Sequence, residues 1–572
     1  MALNDHEMDA LRLRSVIVHV NTILNAASDC YHSPPSPLLA NAVDVRTQKQ
    51  FSWRFPSGES CHLSNLAGQQ NFVRILSALS SITGDPRYKC FAINIFRYYF
   101  TFYQAQNGLI KWGGHQFIDL GTLRSVDPFQ KKNNVHELKN AFPFYELMFE
   151  SNPHATRRFI EGFWNAHVSG PSIEINRHGR YAKSFDAQTL WNVRDYIRPE
   201  PFSEMKGLSF LSAGNDLIYA GISYFQYTKY VPAKIASLQL AQQYIDSRNT
   251  TTHLGSYMYS QPLKTSNPTC DDDTRSLFGD RAQRQLGPEL EPDLAVAPTK
   301  RRVLEANLML EPSARTIYSQ NALMQLSMAR SLGDEGKVLV SHTVEGLLAF
   351  ARYAYKKNEG AFIPLLTDGT DLSDFVLMRN GYYGKAGTVL KPYPASPEFL
   401  LSYTRAYRLT AEPELWLTIK ALAKNNGIAE FGDDPNDVGG FDLTTQQSDP
   451  YALFAVIDIY WAIKNQKYLA LARRIANNIY HQRFLRSEDH NGLNCYVADK
   501  DHVYTSLDLI EPYALLALEE AIRGREEVVA PFLNSAGYTE GVHYSEDGNA
   551  VNVNDRKIFK LRRNQSLKDL NS

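Results

Sequence analysis

The sequence predicts an all-α protein, an (α/α)7 toroid of helical hairpins in which loop and short-strand insertions form a cleft. Three observations predict this fold class: apolar helical stretches recur in pairs, a short polar turn joins each pair, and long insertions of unequal length separate the pairs. An open solenoid would instead repeat at a nearly fixed short period. The predicted pairs span residues 70–103, 140–167, 212–247, 317–355, 396–424, 449–481 and 506–533.

The turns inside the pairs carry residues that end one helix and begin the next. Thr83-Gly-Asp-Pro86 and Thr410-Ala-Glu-Pro413 are two examples. Gly and Asp tolerate turn geometry, and Pro begins a helix without wasting an N–H group. Apolar residues then recur at helical spacing, as Leu415, Ile419 and Leu422 do, so one face of each helix has to be buried.

The insertions decide the predicted domain organisation. We expect one toroid catalytic domain over residues 1–540, from which inserted arms project. The most prominent arm, 249–316, is rich in Pro, Asp and Gly and is expected to hold short strands near 253–259. Residues 541–572 end in a basic polar segment and are expected to form a solvated C-terminal tail.

Composition excludes several classes of protein. The 572 residues are 44% hydrophobic and 21% charged, which is enough apolar material for a large core and too much for a disordered chain. The 60 Lys and Arg nearly balance the 61 Asp and Glu. Nucleic acid and anionic membranes are therefore not expected as partners, and no apolar run is long enough to span a bilayer.

Cysteine usage and the N-terminus bear on the compartment. The five cysteines include no CxxC pair, so neither a zinc knuckle nor a disulfide framework is indicated. Asp5, Glu7 and Asp9 make the start of the chain acidic, which favours an amphipathic helix beginning near Asp5 over a signal peptide. We therefore predict a cytoplasmic protein, with the periplasm as the alternative if the N-terminus is a signal peptide.

Three short motifs carry the candidate chemistry, whereas GxxxxGK[ST], HExxH and GxSxG are absent. They are Lys111-Trp-Gly-Gly-His115, Val135-His-Glu-Leu-Lys139 and Asn176-Arg-His-Gly-Arg180. Two imidazoles and one carboxylate suit a divalent cation such as Mn²⁺, Fe²⁺, Co²⁺ or Ni²⁺. His115, Glu137 and His178 are thus candidate ligands; the alternative for each histidine is a hydrogen-bonded, half-buried imidazole.

Together these motifs resemble polysaccharide lyase family 2, the pectate lyases with an α/α toroid. The segment Phe278-Gly-Asp-Arg-Ala-Gln-Arg-Gln-Leu-Gly-Pro-Glu289 adds to the resemblance, which covers nearly the whole chain. The resemblance implies seven α/α hairpins with extra arms that grip the substrate. It also implies a transition-metal ion, Mn²⁺ before Co²⁺ or Ni²⁺, held by His115, Glu137 and His178, and Arg177 as the Brønsted base.

Two of these assignments have competitors. Glu146 lies near Glu137 in the sequence, but it falls on the apolar stretch 142–149, so Glu137 is preferred. A guanidinium is normally never deprotonated in proteins, so Arg177 could also be a cation that binds a carboxylate. Acting as a base requires a cationic, desolvated pocket and alkaline conditions, and an alkaline optimum is therefore expected.

The implied substrate is polygalacturonate or its oligosaccharides, cleaved by β-elimination. The base removes the C5 proton, the C4 oxygen leaves, and the product is 4,5-unsaturated. A cation on the neighbouring carboxylate stabilises the enolate-like transition state. Arg194 is a candidate clamp for a uronate carboxylate, unless it pairs with Asp195. Trp112 is a candidate platform for a sugar ring, unless it packs under its loop.

The sequence leaves a choice of cleavage mode and two alternative classes. A cytoplasmic enzyme meets only short imported oligosaccharides, which favours exolytic release of disaccharide over endolytic cleavage. An α/α-toroid glycoside hydrolase acting on uronic-acid oligosaccharides would instead need two carboxylates, for which Asp433, Asp434 and Asp437 are candidates. A non-enzymatic helical scaffold would explain the hairpins but not the loops that carry His and Arg.

Overall fold

A computed structural model describes residues 4–131, 135–169, 173–181, 190–193, 209–259, 282, 285–287, 303, 305–438 and 441–571. The chain divides into two compact units, whereas the sequence predicted one domain over residues 1–540. The first unit comprises Met1–Ala166, Gly179–Phe185 and Asp442–Ser572, and the second comprises His167–His178 and Asp186–Phe441.

The described residues form mainly helices, with many short strands between them. In chain order the helices are α1 (Asp5–Ala27), α2 (Gln70–Thr83), α3 (Pro86–Phe102), α4 (Tyr145–Ser151), α5 (Pro153–His167), α6 (Leu211–Thr228), α7 (Val231–Asp246), α8 (Glu311–Arg315), α9 (Ala322–Leu332), α10 (Lys337–Ala354), α11 (Pro397–Thr410), α12 (Pro413–Asn425), α13 (Pro450–Ile463), α14 (Gln466–Arg483), α15 (Ser487–His490), α16 (Glu511–Ile522) and α17 (Asp555–Phe559). The strands are β1 (Ala42–Asp44), β2 (Ser52–Arg54), β3 (Ser60–Ser64), β4 (Phe117–Asp119), β5 (Arg124–Val126), β6 (Val135–His136), β7 (Val168–Ser169), β8 (Glu174–Ile175), β9 (Gly179–Arg180), β10 (Leu308–Met309), β11 (Tyr355–Lys356), β12 (Ala361–Phe362), β13 (Leu365–Leu366), β14 (Tyr393–Pro394), β15 (Phe484–Leu485), β16 (Cys495–Tyr496), β17 (Tyr504–Ser506), β18 (Glu540–Tyr544) and β19 (Ala550–Asn554).

The turns that join paired helices have the predicted chemistry. Gly84 ends α2 in the left-handed conformation, with φ of 75°. The Asp85 side chain then accepts a hydrogen bond from the Arg87 N–H at 3.0 Å, and Pro86 is the first residue of α3. Such a turn satisfies the free backbone groups at both helix ends and sends the chain back along the same face.

Six of the seven predicted hairpins are present among the residues that the structure describes. They are α2 with α3, α4 with α5, α6 with α7, α9 with α10, α11 with α12, and α13 with α14. Short antiparallel sheets of two to four strands lie between the helices, so the predicted all-α class of α/α hairpins with short-strand insertions is confirmed. Within the described part of the chain, no helix is both long and apolar enough to cross a bilayer.

The seventh predicted hairpin, 506–533, is wrong in its second half. After α16 the chain has neither helix nor strand over residues 523–539, all of which the structure describes. The buried Glu520 carboxylate accepts hydrogen bonds from the N–H groups of Val528 at 2.6 Å and Val529 at 3.2 Å, which turns the chain away from helical continuation. Helix α1, from the other end of the sequence, packs against α16 together with α2, α13 and α14.

The helix predicted near Asp5 is confirmed as α1. It begins with a capping box, in which the Asn4 side chain accepts from the Glu7 N–H and the Glu7 carboxylate accepts from the Asn4 N–H. Its apolar face, which includes Val16, Val20 and Ile23, is completely buried. The N-terminal segment is therefore part of the core of the first unit.

The prediction of a separate solvated tail at residues 541–572 is wrong. Strands β18 and β19 form an antiparallel hairpin, and α17 follows directly. Val551, Val553 and Phe559 are buried in one cluster with Phe51 and Trp53 of the N-terminal strands. The basic residues noted in the sequence lie on the outside of a segment whose alternating apolar residues belong to the core.

Of the predicted arm 249–316, the structure describes residues 249–259, 282, 285–287, 303 and 305–316. Residues 253–259 form no strand there, although a bridge joins Met258 to Phe210. Further along, β10 pairs with β13 in antiparallel register. The expected strands near 253–259 are thus replaced by a pairing at 308–309.

A buried carboxyl group links the C-terminal hairpin to the N-terminal strands. Asp555 is 1% exposed and accepts hydrogen bonds from the Thr539 N–H at 3.0 Å and from the Asn41 amide at 3.4 Å. Burial, with the nearby Asp508 carboxylate as a further contribution, raises the pKa of Asp555 from 3.8 to about 7. The folded chain thus holds this proton more tightly than the unfolded chain does.

This proton makes stability depend on pH. Between about pH 4 and pH 7 the unfolded chain has lost the proton of Asp555 and the folded chain keeps it, so the free energy of unfolding falls as pH rises. We expect Asp555→Asn to flatten this fall, by an amount on the order of 4 kcal/mol, in urea unfolding curves recorded across that range. Asp501→Asn, at an exposed position of the same unit, is the control; equal slopes for both variants would contradict the assignment.

Candidate active site

Two adjacent glycines bring the His115 loop against the strand that carries Glu137. Gly113 has φ of 97°, and a Cβ atom there would lie 2.1 Å from the Glu137 carbonyl oxygen. The Gly114 N–H donates to that oxygen at 2.9 Å. The Asn65 side chain holds Gly113 from the other side, because its amide donates to the Gly113 carbonyl at 2.9 Å. Only glycine permits this approach, which explains the Gly-Gly pair before His115.

A strand pair brings His178 to the same place. Strand β6 pairs with β9, so that Val135 lies opposite Arg180 and His136 opposite Gly179. Because Glu137 follows β6 and His178 precedes β9, the two side chains become neighbours across this antiparallel pair. Ligand atoms of His115, Glu137 and His178 all lie within 4.8 Å of one another. Glu146 is outside this group, exposed on the first turn of α4.

The Glu137 carboxylate is completely buried and has charged or polar neighbours on both oxygens. Its Oε2 lies 2.8 Å from His115 Nε2, and its Oε1 lies 3.2 Å from Lys139 Nζ. Lys139 also lies 3.4 Å from the Glu540 carboxylate and stands over the Tyr538 ring at 5.4 Å. The two oxygens of one carboxylate are thereby held in fixed directions.

Sequence reasoning missed Lys139, although a signal was available. Side chains two residues apart on an extended strand point to the same side. Glu137 and Lys139 have this spacing, so a lysine was to be expected beside the buried acid. Tyr538 gave no such signal because it lies some four hundred positions from Glu137 in the sequence. Burial raises the pKa of the Tyr538 phenol.

Arg177 lies between an imidazole and an aromatic ring. Its Nε donates to His178 Nε2 at 3.2 Å. Its guanidinium carbon lies 4.7 Å from the centre of the Phe210 ring, and Phe210 is itself buried. Stacking on a buried ring limits the orientations of a planar guanidinium. No local spacing links Phe210 to Arg177, and the sequence therefore did not predict this contact.

The two predicted substrate-binding residues have different outcomes. Trp112 has no exposed surface and packs edge-on against Phe159, with ring centres 5.2 Å apart. A ring with no exposed face cannot stack on a sugar, so the prediction for Trp112 is wrong and packing under the loop is what occurs. Arg194 lies outside the described residues.

The acidic cluster considered for a hydrolase lies on the surface. Asp433 forms an ion pair with Lys420 and is almost fully exposed. The Asp434 carboxylate accepts from the Asn436 N–H at 2.8 Å, as in an ordinary Asx turn. Glycoside hydrolysis needs an acid of raised pKa, and exposure works against that.

The donor set of the cluster fits a divalent transition metal. Two imidazoles and one carboxylate are typical ligands of Mn²⁺, Co²⁺ and Ni²⁺ and leave coordination positions for substrate oxygens. The separation of the donor atoms, at most 4.8 Å, is short enough for one ion to bridge them. Contact between Lys139 and the far oxygen of Glu137 is the kind of outer interaction that orients a metal ligand.

A helical-hairpin scaffold that gathers two imidazoles, a buried carboxylate and a guanidinium is suited to a polysaccharide lyase acting on a uronic acid. The family model described as "Periplasmic pectate lyase" matches residues 36–542. The chain belongs to this family of pectate lyases, as its three motifs indicated.

Individual relatives agree with the family. A pectate disaccharide-lyase of Dickeya dadantii (strain 3937) is 35% identical over 517 residues, which is 89% of each chain. Among solved structures, cellobiose 2-epimerase from Spirochaeta thermophila gives a TM-score of 0.42 at 10% identity, covering 91% of this chain and 98% of that one. Unsaturated glucuronyl hydrolase from Bacillus sp. GL1 gives 0.37 at 9%, covering 91% and 99%. Scores this low identify no activity.

The family description corrects the predicted compartment. The family is described as periplasmic, so the prediction of a cytoplasmic protein is wrong. That prediction was based on reduced cysteines and on the acidic helix at the N-terminus. Neither the cysteine usage nor the acidic helix determines the compartment in which the protein works.

The close approach at Gly113 gives a test of how the site is built. Gly113→Ala places a Cβ in the left-handed region and against the Glu137 backbone, so we expect the free energy of unfolding in urea to fall by about 3 kcal/mol or more. Gly58→Ala is the matched control, because Gly58 has φ of 81° and no atom within 4 Å of the added Cβ. That variant should lose only about 1 kcal/mol. Similar losses in both variants would show that backbone strain, and not contact with Glu137, decides the effect.

Proposed function

We propose that this pectate lyase cleaves α-1,4-linked polygalacturonate and oligogalacturonates by metal-assisted β-elimination, in an exolytic mode that releases unsaturated disaccharide. The observation that carries the proposal is the cluster itself, in which Arg177 contacts His178, one of the three clustered side chains that could bind a metal ion. The exolytic mode is supported by the name of the 35% identical relative. The sequence favoured the exolytic mode because a cytoplasmic enzyme meets only short imported oligosaccharides, and this argument does not hold for a family described as periplasmic. Endolytic cleavage is the alternative.

His115, Glu137 and His178 would hold the metal ion, with Mn²⁺ expected before Co²⁺ or Ni²⁺. Bound there, the cation would supply positive charge that neutralises the uronate carboxylate and stabilises the developing enolate. Lys139 keeps one Glu137 oxygen engaged at 3.2 Å, so that the other oxygen remains directed toward His115. The protein contributes an arranged donor set in a water-poor surrounding, since Glu137 is fully buried.

Arg177 is the proposed base. In its neutral form it would take the C5 proton; the C–H electron pair becomes the C4=C5 double bond, the bond from C4 to its oxygen breaks, and water protonates the leaving oxygen. The Phe210 ring favours a charged guanidinium through a cation–π contact, so its contribution is orientation and not activation. Alkaline conditions favour the neutral guanidine, and we expect the rate to rise with pH.

One assay separates a lyase from a hydrolase. Polygalacturonate incubated with the protein and Mn²⁺ should gain ultraviolet absorbance from the conjugated double bond, and chelator should abolish the gain. His115→Ala should behave as the chelated wild type does and should retain less metal in elemental analysis. Reducing ends without absorbance would contradict β-elimination, and full metal content in His115→Ala would contradict the ligand set.

The base assignment has its own test. Arg177→Lys keeps a positive charge but removes the guanidinium, so we expect kcat to fall by roughly 100-fold or more while folding and metal content are unchanged. Arg180→Lys, three residues along and exposed, is the matched control and should keep most of the activity. Retention of most activity by Arg177→Lys, with an unchanged pH profile, would show that another group takes the proton.

A further inference from the structure

A positively charged, exposed turn in the second unit is not used by the proposed chemistry. We call residues 375–391 the Tyr382 turn; it contains Arg379, Lys385 and Lys391 and has no Asp or Glu. All three cationic residues are exposed. The exposed Asp374 immediately precedes the turn and its N–H donates to the Leu390 carbonyl at 2.8 Å, so that three positive charges stand against one negative charge over residues 374–391.

The same turn exposes apolar and aromatic surface. Tyr382 is 68% exposed and Met378 is 62% exposed. The Tyr383 ring meets Tyr382 edge-on, with centres 5.2 Å apart and planes at 88°. An aromatic face beside cations can bind ligands that are both apolar and anionic.

The backbone of the Tyr382 turn is held firmly from below. The buried Gln285 amide nitrogen donates to the Arg379 carbonyl at 3.1 Å and to the Gly384 carbonyl at 3.0 Å. Its amide oxygen accepts from the Tyr383 N–H at 2.9 Å. A Cβ atom at Gly381 would lie 2.4 Å from that oxygen, so the glycine is required for the contact. Binding to a surface fixed in this way costs little ordering entropy.

These contacts also place the charges. Because the carbonyls of Arg379 and Gly384 meet a single nitrogen atom, the two sides of the turn lie close together. Tyr382 is at the tip between them, and Arg379 and Lys385 flank it along the chain. Leu377 and Leu390, buried in the core below, anchor the base of the turn.

We propose that the Tyr382 turn is a binding surface for polygalacturonate. The inference rests on the proposed function for the chemistry of its ligand, a polymer with one carboxylate on each sugar. The Tyr382 ring would pack against the apolar face of a sugar, and the cations would meet carboxylates of neighbouring sugars. Charge complementarity selects this polymer over a neutral glycan, and the aromatic tip adds a contact that a purely electrostatic surface lacks.

Affinity electrophoresis tests the proposal without any turnover. The folded chain is run in native gels containing polygalacturonate and a chelator, and the apparent Kd is taken from the retardation. Tyr382→Ala and the double variant Arg379→Gln/Lys385→Gln should each raise the apparent Kd about tenfold, the effect of one lost stacking or charged contact. Added salt should weaken binding of the wild type more than that of the double variant.

Two controls match these variants. Tyr382→Phe keeps the ring and should remain close to the wild type. Arg352→Gln/Lys357→Gln removes two exposed charges elsewhere in the same unit and should leave the apparent Kd unchanged. The proposal is overturned if the Tyr382 turn variants bind as the wild type does, if the control double variant loses as much, or if double-stranded DNA retards the protein equally.

The outcome is independent of the catalytic assignment. If retardation depends on Tyr382 and the cations but no absorbance develops in the lyase assay, the surface stands and the proposed chemistry fails. If absorbance develops and retardation is unaffected by the variants, the chemistry stands and the surface is refuted.

Discussion

A single buried carboxylate constrains the construction of the candidate active site. An ionised group with no exposed surface is very unfavourable unless it is paired, and Glu137 meets both His115 and Lys139. His115 reaches Glu137 because the backbone of Gly113 and Gly114 passes close to that residue, and the pairing of β6 with β9 brings His178 to the same carboxylate. Segments that are distant in sequence thus meet at one buried carboxylate.

The two ends of the chain complete the first unit. Helix α1 is one of the helices that pack against α16, and the β18–β19 hairpin shares a core with Trp53. Glu540, at the start of β18, lies 3.4 Å from Lys139. The C-terminal segment therefore both covers apolar surface and balances the lysine that holds Glu137. Loss of that segment would affect the site as well as stability.

The protein offers two different environments to an anionic ligand. At the cluster, Glu137 is buried and its neighbours are fixed, so a carboxylate bound there would meet strong electrostatic interactions. On the Tyr382 turn the cations are exposed and screened by salt, so each contributes weakly. Chemistry needs the first environment, whereas holding a long polymer needs only several contacts of the second kind.

The sequence by itself determined the paired helices, their turns and the three motifs of the site, because helix capping, apolar periodicity and glycine-dependent turns are local properties. Polar neighbours, which are also visible locally, favoured Glu137 over Glu146, and it is Glu137 that lies near His115 and His178. Tertiary structure alone decided that Trp112 is buried, that α1 partners α16, that residues 541–559 join the core, and that Lys139, Tyr538 and Phe210 surround the site. Burial and long-range pairing depend on the free energy of the whole packed chain, and no short stretch of sequence records them.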